Sequence, residues 1–210
     1  IHAFTHSRIH PFTHSRIHPF THSPMIKKIL LSLGTVFLIW QSYGLIMTVP
    51  HMSFDSWLFS IFIAWLLNLF ITGVFALSGF AFATQNLLPS SYYHVHHPEK
   101  LKGVYKVFQV ELFRFLLLAT LWRSKRQRKT HFNGKKDGIA QLIRQSKKSE
   151  FGHLIPLVLL VFLSAYLCFI DLWKLAALTF IINVIGNFYP ILLQRHHRMR
   201  IQALGIGNFE

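Results

Sequence analysis

Long apolar runs alternate with short polar and basic stretches along this chain. Four runs carry no charged residue: Ile29–Val49, Trp57–Ala83, Leu154–Ile170 and Leu175–Leu193. A helix needs about 20 apolar residues to cross roughly 30 Å of hydrocarbon. The first two runs meet that length outright, and the third does so once Gly152 and His153 enter the membrane. The first run is long and has no small-residue cleavage site before Pro50, so it reads as an anchor rather than a signal peptide. A fifth run, Phe108–Trp122, holds Glu111 and Arg114, an i, i+3 pair able to meet on one helical face. That run is too short and too polar to span. The pattern predicts an all-α integral membrane protein with about four transmembrane helices plus one interfacial or re-entrant helix.

Charge fixes a topology on that pattern. Lys and Arg number 22 against 7 acids, a formal net charge of +15. In a soluble chain such an excess suggests nucleic acid. In a chain with these spans it points instead to the positive-inside rule and anionic lipid headgroups, with no nucleic acid as partner. Lys27 and Lys28, the region Thr84–Gly152 and the cluster Arg195–Arg200 then fall on the cytoplasmic side, with Pro50–Ser56 and Asp171–Lys174 outside. Both termini are expected in the cytoplasm of a multi-pass cell-membrane protein. An interfacial rather than spanning Phe108–Trp122 keeps Lys100, Lys102 and Lys106 on the same side as Arg123–Lys148.

Two domains of unequal interest follow. Residues 1–24 are three copies of an eight-residue unit, IHAFTHSR, IHPFTHSR and IHPFTHSP, with six of the 14 histidines. The unit has no apolar face to bury and reads as a disordered or non-native leader; translation from Met25 should leave insertion and activity intact. Residues 25–210 form a single membrane domain. Its one cysteine, Cys168, lies within an apolar run and cannot form an internal disulfide.

Three polar groups converge on the cytoplasmic face. The first, from Leu88 to Lys102, contains Tyr92, Tyr93, His94, His96, His97 and Glu99. It reads either as an interfacial aromatic belt or as part of a site. The H-x-H-H spacing lacks the Cys or carboxylate that would complete a tetrahedral metal set, so no metal is expected. The second group holds Glu150 and His153, which share one helical face at i, i+3. Histidine is the natural proton shuttle near neutrality, and a carboxylate can fix its tautomer. The plainer reading makes Glu150 part of an amphipathic helix and sets His153 at headgroup depth. The third group is Asn187, Gln194 and Arg195 through Arg200. Asn183, Asn187 and Gln194 form a polar stripe on one helical face, and polar groups at membrane depth usually face the bundle interior. Pro190 removes a backbone donor and should kink that helix. A polar stripe under a cationic mouth suits a ligand with a sugar or activated acyl group at the interface and an apolar tail in the bilayer.

Taken together these motifs resemble a family. The order is Leu88-Pro89 and the Tyr92-Tyr93 pair, Gly103-x-Tyr105, then Glu150-x-x-His153 before a span. It closes on Asn187-x-x-Pro190-x-x-x-Gln194-Arg195-x-x-Arg198-x-Arg200. This is similar to the glycosyl-4,4'-diaponeurosporenoate acyltransferase family of bacterial membrane enzymes, over roughly Gln85–Leu204. The resemblance implies a late step of staphyloxanthin-type carotenoid biosynthesis, transfer of a fatty acyl group to the 6-hydroxyl of the carotenoid's glucose. Two departures stand out: His196 and His197 replace an expected Tyr-Asn pair, and Ile29–Val49 is an additional span.

Acyl transfer to a sugar hydroxyl needs a base near the alcohol and donors or cations around the acyl oxyanion. His153 is the candidate base, oriented by Glu150. Arg195 and Arg198 are candidates for binding the acyl donor. Asn187 and Gln194, with Tyr92 and Tyr93, are candidates for holding the substrate. With no Gly-x-Ser-x-Gly elbow, direct transfer is preferred to a covalent acyl-enzyme. No cofactor is expected beyond a co-substrate such as acyl-CoA or acyl carrier protein. The expected partners are membrane lipid, that donor and a lipid-linked or carotenoid glycoside acceptor. An antiparallel hairpin turning near Asp171 should bring Glu150, His153, Asn187, Gln194 and Arg195 to one cytoplasm-facing pocket. The competing reading is a non-catalytic basic membrane protein that binds anionic lipid or a protein partner. A transporter fits poorly, since four spans without repeat symmetry leave little room for a pathway.

Overall fold

A computed structural model describes residues 24–120, 137–203 and 205. The leader repeat, apart from Pro24, lies outside them, as does most of the basic stretch that begins at Arg123. The chain is all-α. Helices α1 (Pro24–Thr48) and α2 (Trp57–Ala81) come first, followed by the short α3 (Ser90–Tyr93). Next are α4 (Pro98–Val107), α5 (Val110–Ala119), α6 (Asp137–Phe169) and α7 (Trp173–Asn183). A widened turn, Val184–Phe188, joins α7 to α8 (Tyr189–Ala203), so the last helix runs on from Trp173. Four segments are long and apolar enough to cross a membrane: Met25–His51, Trp57–Ala81, Gly138–Phe169 and Trp173–Ala203.

Local chemistry accounts for the ends of these helices. Ser56 caps α2 by accepting from the Phe59 amide at 3.4 Å. The far end of α2 is held by Lys148, whose Nζ donates to the carbonyls of Gly79 (3.3 Å) and Phe82 (3.1 Å). A cation there satisfies orphan carbonyls and complements the helix dipole. The α6–α7 hairpin turns at Asp171, in left-handed backbone with φ of 61°. The Leu172 amide reaches back to the Leu167 carbonyl (2.9 Å) and the Asp171 amide to that of Cys168 (3.1 Å). This is the Schellman pattern that closes a helix C-terminus.

The central core lies between α2, α6 and α7, where Ala64, Leu67, Ile71, Leu160, Leu167 and Leu175 interlock. Helix α1 packs along α2. At Gly73 a side chain would drive a Cβ to within 2.7 Å of Leu38 Cδ1, so the glycine permits the close approach. A smaller cluster of Tyr105, Val110, Leu192, Leu193 and Met199 seats α4 and α5 against α8.

Three expectations change. The run Phe108–Trp122 is not one helix. Gln109, in left-handed backbone with φ of 47°, separates α4 from α5, and Trp122 lies outside the described residues. At 10 residues, or about 15 Å, α5 is too short to span. The third span is part of a far longer helix. Helix α6 has 33 residues, about 50 Å, and carries Pro156 without breaking. Glu150 and His153 lie within this helix, on one face as their spacing predicts. The irregularity expected at Pro190 falls one turn earlier, at Val184–Phe188, where the Tyr189 amide reaches the Val184 carbonyl. Proline lacks an N–H and its ring crowds the carbonyl four residues back, here that of Gly186, so the preceding turn is the one that widens.

Candidate functional site

Helices α6 and α8 run antiparallel, and their polar residues meet in two adjacent groups. The outer group is an ion centre. Glu150 of α6 is fully buried, at 0% exposure. One of its carboxylate oxygens accepts from Arg195 Nε at 2.9 Å, and the other from Arg198 Nη2. Arg198 is buried as completely as Glu150. Its Nε donates to the Tyr93 carbonyl (3.2 Å) and its Nη1 to Ser146 Oγ (2.9 Å). Ser146 in turn donates to the Gln194 carbonyl at 3.4 Å. A buried ion pair persists only when its remaining polar atoms are also satisfied, and each nitrogen of this guanidinium is.

The Tyr92-Tyr93 segment covers that centre. The Arg195 guanidinium carbon lies 4.9 Å from the centre of the Tyr92 ring, and that of Arg198 5.3 Å from the Tyr93 ring. The two rings meet edge to face at 5.3 Å. Burial, and then the Glu150 charge, push the Tyr93 hydroxyl up to about 12 and raise that of Tyr92 as well. Both phenols therefore stay neutral and able to donate. Two cations on one carboxylate leave an excess positive charge. Arg195 is its outward member, with a third of its side chain exposed.

The inner group lies deeper. His153, three residues further along α6, is about 4.5 Å further along the axis. Its Nδ1 pairs with Asn187 Oδ1 at 3.0 Å. This corrects the expected Glu150–His153 pair: both oxygens of Glu150 are taken by arginine, and buried opposite charges outcompete a neutral imidazole. Asn187 Nδ2 donates to Asn183 Oδ1 (2.9 Å), and Asn183 Nδ2 to the Leu157 carbonyl (3.0 Å). Thr72 of α2 joins through its hydroxyl, 3.1 Å from Asn187 Nδ2 and 3.2 Å from Oδ1. The Gly186 backbone, deprived of its usual donor by Pro190, is a second neighbour of the His153 ring.

Roles expected from the sequence shift accordingly. Asn187, 1% exposed, spends its amide on protein groups, so it does not face a sugar. Gln194 donates to Ser149 Oγ at 3.3 Å. Arg198 belongs to the interior, whereas Arg195 keeps a third of its side chain exposed. Glu111 and Arg114 do pair, at 3.2 Å, and His196 adds a longer contact to Glu111 at 3.7 Å. His94 and His96 meet with tilted rings, their centres 4.7 Å apart, on the exposed segment after α3. Sequence reading missed Thr72, Ser146 and Ser149. A signal existed for Thr72: Asn68 and Thr72 stand at i, i+4 within a span, where polar residues turn toward the bundle interior.

Residues 89–205, more than half of the chain, match the family described as glycosyl-4,4'-diaponeurosporenoate acyltransferase. The matched segment starts beside the tyrosine pair and takes in Glu150, His153, Asn183, Asn187, Gln194, Arg195 and Arg198. Helices α1 and α2, with Thr72, precede it. No curated protein and no solved structure matches the chain.

Proposed function

Because the chain belongs to the glycosyl-4,4'-diaponeurosporenoate acyltransferase family, we propose that it esterifies a fatty acyl chain onto the sugar hydroxyl of a glycosylated carotenoid or similar glycolipid. The observation that carries this reading is the stacking of the two groups. A histidine held by Asn187 sits one helical turn from a buried centre with an excess of positive charge. Those are the two parts that acyl transfer requires.

In this mechanism His153 takes the proton of the sugar hydroxyl as its oxygen bonds to the acyl carbon. The carbonyl electrons move onto oxygen, where Arg195 offsets the developing charge. Collapse of that intermediate breaks the bond to the donor, and the proton on His153 passes to the departing thiolate of a thioester such as acyl-CoA or acyl carrier protein. Tyr92, stacked under Arg195, sets the direction of its guanidinium. Glu150 and Arg198 act by holding Arg195 in place. The apolar tails of both substrates lie in the bilayer.

The test is expression of the chain beside a glycosylated carotenoid pathway, with mass spectrometry of the lipid extract. The expected result is a carotenoid glycoside heavier by one fatty acyl ester. An unchanged extract from membranes that contain the protein favours a non-catalytic basic membrane protein instead.

The positive clusters support cytoplasmic termini and a cytoplasmic site. A cysteine at Ser53, between α1 and α2, should react with an impermeant maleimide added to intact cells. One at Lys102, on α4, should react only after permeabilisation. Ser124 and Gly134, which the same rule assigns to the inside, lie outside the described residues. Labelling of Lys102→Cys in intact cells would reverse the orientation.

A further inference from the structure

The inner group has a direction. The Leu157 carbonyl oxygen can only accept, so Asn183 must present its Nδ2 there, at 3.0 Å. That leaves Asn183 Oδ1 toward Asn187, which must present its own Nδ2, at 2.9 Å. Asn187 Oδ1 is then the atom facing His153 Nδ1 at 3.0 Å, and an amide oxygen requires a donor. We infer that Asn183 and Asn187 form a directional amide relay, anchored on the Leu157 carbonyl, that holds His153 in the Nδ1–H tautomer and leaves its Nε2 as the proton acceptor.

Burial makes the direction firm. Asn183 and Asn187 are 0% and 1% exposed, so water does not compensate a reversed amide. Turning either one places oxygen against oxygen or N–H against N–H, which strands buried polar atoms. Thr72 does not set the direction: its hydroxyl donates once and accepts twice, and it lies 3.1 and 3.2 Å from the two ends of the Asn187 amide, so the anchor at Leu157 decides. Free imidazole favours the proton on Nε2, so the relay works against the ring's own preference. Asn183 and Asn187 are thus positioning residues. Their use in catalysis rests on the proposed role of His153 as base, whereas the tautomer itself does not.

The experiment reads the tautomer directly. The full chain, labelled with ¹⁵N-histidine and purified in detergent, is examined by nitrogen-detected NMR. The His153 signal, among 14 histidines, is the one lost in His153→Gln. In the wild type its Nδ1 should be protonated and its Nε2 bare. Asn183→Leu removes the anchor and should restore a population of the Nε2–H form, with kcat falling about 100-fold and KM for the glycoside unchanged. Asn183→Asp keeps the direction. When protonated, its O–H replaces Nδ2 toward Leu157 and its other oxygen still accepts from Asn187. It should retain the wild-type tautomer and kcat within a few-fold. An Nε2–H wild type, its proton given to the Gly186 backbone instead, overturns the inference, as does one tautomer common to all three proteins. If the tautomers behave as expected and no acyl transfer is found, the relay stands and the acyltransferase reading falls.

Discussion

Replacing Glu150 with alanine is expected to destabilise the protein by about 3–5 kcal/mol, the usual effect of deleting one partner from a buried ion pair. Arg198 has no exposed surface and would keep its charge with no carboxylate beside it. Arg195, one-third exposed, can turn toward water and loses less. Arg198→Lys should also be costly, because an ammonium cannot reach Glu150, Ser146 and the Tyr93 carbonyl from one planar fork. The double variant Glu150→Leu with Arg198→Met removes both buried charges and should recover most of the loss. Thermal unfolding in detergent, followed through the five tryptophans, gives the comparison. A Glu150→Ala protein as stable as the wild type would show that the pair is not buried in the membrane-embedded protein. The double variant is also informative about function. Restored stability without restored acyl transfer separates the ion centre's role in holding Arg195 from its role in holding the fold.

His153→Ala should do the opposite, removing activity while sparing the fold. General base catalysis contributes typically 10²–10⁴-fold, and acyl transfer is expected to fall by about that factor. Its hydrogen bond to Asn187 is a neutral one, worth about 1 kcal/mol net. The amides of Asn183 and Asn187 and the Thr72 hydroxyl remain bonded to one another. Protein level and unfolding temperature should therefore stay close to the wild type, while the acylated glycoside disappears from the lipid extract. Full activity in this variant would remove His153 from the mechanism. An equal loss of protein would show that the residue is structural.

The positions of the spans follow from composition alone. A run such as Trp57–Ala81 has nowhere to bury its side chains except hydrocarbon, and its backbone must bond internally there, which only a helix achieves at that length. The polar stripe was equally legible, because Asn183 and Asn187 at four-residue spacing in an apolar segment must face protein. Where helices end was less so. The periodicity of Phe108–Trp122 says nothing of Gln109 adopting a left-handed backbone, and Asp137–Lys148 extends α6 because it packs as well as winds.

Partner choice lay beyond the sequence. Along the chain, His153 is the neighbour of Glu150, and helical spacing counts only neighbours of that kind. The arginines that claim Glu150 are 45 and 48 residues away and arrive only when α6 and α8 pack side by side. Once the carboxylate is buried, a charged donor offsets its desolvation better than a neutral ring. The histidine is left to the amides across the same interface. The sequence thus determined which residues are polar at membrane depth. The packing of helices distant along the chain decided which of them pair, because burial turns a small local preference into a contest that the strongest available charge wins.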